Sequence, residues 1–94
     1  MASNQEYLTY VLETLREVDG ITYKKMMGEY LLYADGVLFG GVYDNRFLIK
    51  KTQSNEGLRE QIPYPGAKPM LLVDSESPRE VAALVEAVLE DLKS

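Results

Sequence analysis

The sequence predicts an α+β fold, a two-layer sandwich in which a mainly antiparallel sheet, laid down as a meander, carries the N- and C-terminal helices packed on one face. Three observations point to it. Apolar residues recur at three- and four-residue steps near both ends of the chain, two-residue hairpin signals punctuate its middle, and the regular strand–helix–strand alternation of a parallel sheet is missing. With 94 residues the chain is expected to form one domain over 1–94, enough for a single core and too little for two.

Each element follows from local chemistry. Ser3-Asn4-Gln5-Glu6 has the pattern of a capping box, in which Ser3 accepts from the backbone at Glu6 and the Glu6 carboxylate answers the Ser3 amide. Tyr7, Leu8, Val11, Leu12, Leu15 and Val18 continue as one stripe that Gly20 ends, so the first helix is expected over about 4–18. Asp35-Gly36 and Asp44-Asn45 then mark two tight hairpins, because Gly, Asn and Asp adopt the positive φ of such turns most readily. Two-residue loops there set Ala34 against Val37, Leu32 against Phe39 and Tyr30 against Gly41, then Val42 against Phe47 and Gly40 against Ile49.

Alternation along this three-stranded meander assigns Leu31, Leu38, Val42, Phe47 and Ile49 to one face. Tyr30, Leu32, Phe39, Leu48, Arg46 and Lys50 fall on the other. The helices are expected over the more aliphatic face, which leaves the tyrosine- and phenylalanine-bearing face without a lid. A short helix is expected from Ser54 to Gln61, and the proline-rich run Pro63–Pro69 must be an ordered loop leading to a strand at Met70–Val73. Ser77-Pro78-Arg79-Glu80 opens the last helix as a second capping box with proline at its first position, and Val81, Leu84, Val85, Val88 and Leu92 form its apolar stripe.

Composition removes most catalytic machinery. The chain has no Cys and no His, which excludes thiolate nucleophiles, Ser-His pairs, disulfides and zinc held by those ligands. No spacing of the carboxylates proposes a metal or acid–base site, so catalytic, cofactor-binding and metal-binding residues are all expected to be none. Neither a leader peptide nor an apolar run of membrane length is visible, and the cytoplasm is the expected compartment. The net charge of −5 is unevenly spread: residues 1–19 carry −3, residues 20–70 carry +2 and residues 71–94 carry −4.

Met26-Met27-Gly28-Glu29-Tyr30-Leu31-Leu32-Tyr33, then Asp35-Gly36, Leu38-Phe39-Gly40-Gly41 and Tyr43-Asp44, resemble the N-terminal domain of the TfoX/Sxy family of bacterial competence regulators. Met26, Gly28, Tyr30, Leu32, Tyr33, Gly36 and Phe39 stand at the places of that signature, and Tyr64 to Met70 with the closing helix is similar to a compact, stand-alone branch. The resemblance spans about residues 3–93 and implies an α+β domain that tends to pair between chains. In longer members a helical C-terminal domain follows, and the resemblance implies a stand-alone form lacking it. It brings no catalytic residues, so a small non-enzymatic regulatory module, linked to competence or transcription, is the expected function.

The candidate interaction surface is Met26, Met27, Gly28, Tyr30, Leu32, Phe39, Gly41, Leu48 and Tyr64. Methionines adapt to a partner's shape, glycines permit close approach, and tyrosine suits half-buried interfacial positions. Each feature also has a plain structural use: Gly28 as a bend with one methionine in the core, Gly40-Gly41 as a bulge, Tyr64 as the anchor of its loop. A homodimer or a protein partner is expected. The alternative is a nucleic-acid-binding accessory protein using Lys24, Lys25, Lys50 and Lys51, which the overall acidity disfavours. A second alternative is a small-ligand-binding protein or an enzyme of unknown chemistry.

Overall fold

Three hairpin turns lay down most of the sheet, each where two successive residues take positive φ. A computed structural model describes residues 4–53 and 57–93. In it Met27 and Gly28 (φ +52° and +84°), Asp35 and Gly36 (+49° and +82°) and Asp44 and Asn45 (+52° and +55°) form the loops, the backbone signature of type I′ turns, whose twist matches that of the flanking strands. They join β1 (Ile21–Met26), β2 (Glu29–Ala34), β3 (Val37–Val42) and β4 (Phe47–Ile49). Two further strands, β5 (Glu60–Gln61) and β6 (Met70–Leu72), complete the described sheet, six antiparallel strands in the order β1-β2-β3-β4-β6-β5. The α+β class and the helices at both ends are as expected.

Helix α1 (Gln5–Thr14) and helix α2 (Pro78–Lys93) share one face of the sheet. Their apolar stripes, Leu8, Val11, Val81, Val85 and Val88 among them, meet Tyr30, Leu32, Phe39, Val42, Phe47, Ile49 and Leu71 in a single core. The expected start of α1 is corrected by one residue: Asn4 is the N-cap, its Oδ1 accepting from the Tyr7 amide at 2.7 Å, while Ser3 lies outside the described residues. Its end is corrected from 18 to Thr14, because Leu15 to Val18 close as a turn, the Val18 amide donating to the Leu15 carbonyl at 2.9 Å. Leu15 and Val18 stay buried all the same. At α2, Ser77 Oγ accepts from the Glu80 amide at 3.4 Å as predicted, but the Glu80 carboxylate takes its hydrogen bond from the Ser75 hydroxyl, at 2.7 Å.

The expected short helix is also corrected. Residues 54–56 lie outside the described residues, and Glu60–Gln61 pair with β6 as a strand, Glu60 opposite Leu71 and Gln61 opposite Met70. The meander has one strand more than expected, since Ile21–Met26 pairs along its whole length with β2.

The largest correction concerns the faces, and one bulge causes it. The turn at Asp35-Gly36 pairs Ala34 with Val37 as predicted, but the register then shifts so that Leu32 faces Gly40 and Tyr30 faces Val42. Phe39 and Gly40 together oppose Leu32, and a bulged pair of this kind sends both residues to the same side. A one-residue shift in a strand of period two moves every later side chain across the sheet. It therefore joins Tyr30, Leu32 and Phe39, expected on the open face, to Val42, Phe47 and Ile49, expected beneath the helices. All six are buried in the helix-side core. The opposite face carries Leu31, Tyr33, Leu38, Gly41 and Leu48 instead.

Candidate functional site

Among the described residues two regions outside the core stand out: the edge of the sheet at β1, and the far face where the proline-rich loop returns. β1 begins half-buried at Ile21 and is exposed from Thr22 to Met26, on both of its faces, because the two helices cover the sheet further in. Tyr23 is 49% exposed, Met26 45% and Met27 97%. The Tyr23 ring leans edge-on against Tyr30, with centroids 5.8 Å apart, so one aromatic edge is seated and the rest faces outward. Neither methionine enters the core.

Met27 is out of place by local rules. Its φ of +52° lies in the left-handed region, where a side chain other than Asn, Asp or Gly costs on the order of 1 kcal/mol. Asp35 and Asp44 at the equivalent turn positions avoid much of that cost. The Asp44-Asn45 turn is further tied down, as the Asp44 amide donates to both oxygens of the Glu29 carboxylate at 3.2 and 3.1 Å and Asn45 Oδ1 accepts from the Asn4 amide at 3.0 Å.

On the far face, the segment from Pro63 to Met70 lines one side of a cleft of about 710 Å3, with Leu38, Gly40 and Tyr43 among the residues lining the sheet side. The wall is set by its own sequence. Tyr64-Pro65-Gly66-Ala67 is a turn closed by the Ala67 amide donating to the Tyr64 carbonyl at 3.1 Å, with Gly66 at φ +88°; proline then positive-φ glycine is what a type II turn demands. Arg46 ties this wall to the sheet. Its Nε donates to the Tyr43 carbonyl at 3.1 Å, Nη1 to Gln61 Oε1 at 2.8 Å and Nη2 to the Pro63 carbonyl at 3.2 Å.

Replacing Arg46 with alanine is expected to cost about 1.5–3 kcal/mol, the range for hydrogen bonds to a charged group. Amide exchange should accelerate selectively over residues 61–67, and lysine should restore little, because a point donor cannot span three acceptors. Urea unfolding and residue-resolved exchange read both effects.

Tyr43 and Tyr64 both line the cleft, ring centroids 6.2 Å apart and tilted by 51°. Burial pushes the Tyr43 phenol above its ordinary value near 10, with the neighbouring Tyr64 phenol and the Glu29 carboxylate acting in the same direction. The fold thus favours the neutral phenol: this contribution to stability is complete below pH 10 and is lost as pH rises through the folded value. Tyr43→Phe is expected to remove one late phenolate from the alkaline absorbance titration and to flatten the loss of stability above pH 10. Tyr7, raised chiefly by its own burial, should keep titrating late in that variant.

The predicted surface residues are therefore divided. Met26, Met27 and Gly28 form the exposed hairpin tip. Tyr30, Leu32 and Phe39 are core residues at 6%, 0% and 0% exposure, which corrects their expected place on an open face. Leu48 is fully buried on the other side of the sheet, outside the helix-side core, and Gly41 beside it is covered by the Tyr43 ring. Tyr64 is exposed at the cleft. Reasoning from sequence missed Tyr23, Arg46 as an anchor, and Lys68; the alternating run Ile21–Met26 and the Pro65-Gly66 turn were the signals for the first and last. The four lysines do not converge. By strand alternation Lys24 and Lys25 point to opposite faces of β1, while Lys50 and Lys51 line the cleft, Lys51 paired with Glu60 at 2.8 Å.

Among the described residues no three carboxylates gather where they could hold a metal ion, and no helix is long and apolar enough to cross a membrane. An antiparallel sheet with two helices on one face, an exposed apolar edge and a shaped cleft defines a small α+β module. The chain belongs to the TfoX N-terminal domain family, a regulatory and non-catalytic one, which it matches over residues 13–92. It is also similar to an uncharacterized 12.7 kDa protein in the trpE 5′ region of Spirochaeta aurantia, with 34% identity over 86 residues, covering 84% of this chain and 75% of that protein.

Proposed function

We propose that the chain is a non-enzymatic protein-contact module of the cytoplasm that pairs with a second copy of itself through the free edge of β1 and the Met26-Met27 tip. Its regulatory role, connected with competence or transcription, is exercised through such contacts. The observation that carries this reading is the exposure of β1. It is an outermost strand, so its outer backbone groups face no other strand of the sheet, and large apolar side chains stand exposed beside them. Met27 supports it further, since a strained, exposed methionine gains nothing for the turn that holds it.

Lys24 and Lys25 restrict the pairing. Lysines on an edge strand guard against indiscriminate joining, and like charges placed directly opposite repel. An antiparallel pair centred on Tyr23 places Lys24 opposite Thr22 and Lys25 opposite Ile21 of the second copy, which keeps the lysines apart and satisfies a two-fold axis. The nucleic-acid alternative draws no support from the geometry. Lys24 and the β4 end that leads to Lys50 are three strand spacings apart, roughly 14 Å, and the other two lysines are turned away or paired with an acid.

The test is a variant whose effects on folding and pairing have opposite signs. Met27→Asn relieves the left-handed strain and is expected to raise the melting temperature slightly, while removing the apolar tip should shift the light-scattering mass toward one chain at concentrations where the parent is paired. A parent that stays at the mass of one chain up to submillimolar concentration sinks the proposal.

A further inference from the structure

A second cleft, of about 450 Å3, opens between α1 and the link from β6 to α2. Residues 1–19, which carry −3, and residues 71–94, which carry −4, both supply its lining, so it draws on the two acidic segments of the chain. From α1 come Tyr7 and Tyr10, about one helical turn apart, with ring centroids 5.7 Å apart and the rings inclined by 44°. From the link come Asp74 and Glu76, both exposed; among the described residues neither is paired with a cation. Arg46 borders the cleft too, but its Nε, Nη1 and Nη2 already donate to the Tyr43 carbonyl, Gln61 Oε1 and the Pro63 carbonyl. The two carboxylates are therefore the charges that the cleft has to offer a ligand. Its volume falls within the roughly 300–1,000 Å3 of clefts that take small organic molecules.

Both walls are set before a ligand arrives. The Asn4 amide donates to Asn45 Oδ1 at 3.0 Å, which ties the start of α1 to the turn between β3 and β4. On the other side the Val73 amide donates to the Phe47 carbonyl at 2.9 Å, and Ser75 donates to Glu80 Oε2 at 2.7 Å while accepting from the Ser77 amide at 3.2 Å. Asp74 and Glu76 flank Ser75 in this tied segment, so a ligand orders little chain on entering. Tyrosine rings attract an ammonium ion through their quadrupole, and alkyl groups on the nitrogen add contact with the rings. Carboxylates complement the same charge, and an acidic cleft concentrates cations from solution.

We infer that this cleft binds a small organic cation, an alkylammonium ion held by the Asp74 and Glu76 carboxylates against the Tyr7 and Tyr10 rings. The site is independent of the proposed pairing, because its lining comes from α1, from the β3–β4 turn and the start of β4, and from the end of β6 with the link beyond it, not from β1.

The experiment is an amide chemical-shift titration of the full chain with choline, with ethanolammonium and with 3,3-dimethyl-1-butanol, the uncharged isostere of choline. It is run in about 0.15 M salt, which screens attraction to the acidic surface at large. Saturable shifts are expected at Tyr10, Asn45, Asp74 and Glu76 with either cation, and about tenfold weaker binding of the alcohol. Tighter binding of choline gives the rings the larger share and tighter binding of ethanolammonium gives it to the carboxylates; both results support a cation site. Asp74→Asn/Glu76→Gln should weaken the two cations about tenfold and leave the alcohol unchanged, and Tyr10→Leu should weaken choline more than ethanolammonium. Glu86→Gln, on α2 and outside the cleft, should change nothing. Thermal melts establish that each variant is folded. Equal affinity for cation and alcohol, cation affinity unmoved in the double variant, or shifts that spread over the acidic surface without saturating would overturn the inference.

Discussion

Replacing Phe39 with alanine is expected to lower the melting temperature by roughly 15–30 °C. Phe39 is fully buried and sits where β3 meets the helix layer. Truncating a phenylalanine in such a position costs about 3–5 kcal/mol, the lost transfer energy plus the cavity left behind. Each kcal/mol moves the midpoint of a domain this size by about 4–8 °C, and a total stability of about 5–15 kcal/mol leaves little in reserve. Phe39→Glu should fail to fold, because it places an unpaired carboxylate within the helix-side core. Thermal unfolding followed by circular dichroism reads both variants. A soluble, folded Phe39→Glu protein would mean that the aromatic faces solvent or a partner and that the assignment of the faces is wrong.

The second large effect is expected at Gly40. A Cβ there would stand 2.3 Å from the Leu48 carbonyl oxygen, 3.0 Å from Ile49 Cα and 3.2 Å from its Cγ2. The first two are backbone atoms of the neighbouring strand, so β3 and β4 must separate or the bulge must dissolve. Gly40→Ala is expected to cost about 2–3 kcal/mol, toward the upper end of overpacking effects. Gly36→Ala provides the comparison: at φ +82° it meets nothing within 4 Å, so it should cost only the backbone term of about 1 kcal/mol. Gly41→Ala should resemble Gly40, since a Cβ there meets the Tyr30 carbonyl oxygen at 2.6 Å and the Tyr43 ring at 2.8 Å. Urea denaturation of the three variants gives the ranking; Gly36→Ala costing as much as Gly40→Ala would contradict the close packing of β3 against β4.

The same glycine explains why the fold was more legible than the surface. Helix α2 was visible through its proline and its stripe, and the turns at Asp35 and Asp44 through residues that accept positive φ. Those are local signals, and local chemistry decided them. The face of each strand depends on counting pairs across the sheet, and a bulge changes that count by one without altering the composition around it. Gly40-Gly41 marked an irregular place but carried no sign of which way it resolved. Met27-Gly28 hid a third hairpin because methionine is a poor turn residue, which is also why that tip stands out as a site of contact. The cleft was the least legible part. Its lining comes from positions as far apart as 38 and 70, and the pairing of β4 with β6, the Arg46 anchor and the Tyr64–Ala67 turn bring them together.

Hydrogen exchange of the β1 amides as a function of protein concentration tests the central claim most directly. Pairing through this edge should slow exchange at the outward-facing amides of residues 22–26 as concentration rises, with the onset coinciding with the change in mass and moving to higher concentration in Met27→Asn. Exchange in β1 that is the same at every concentration, or protection that grows over another part of the surface while β1 stays open, would contradict it.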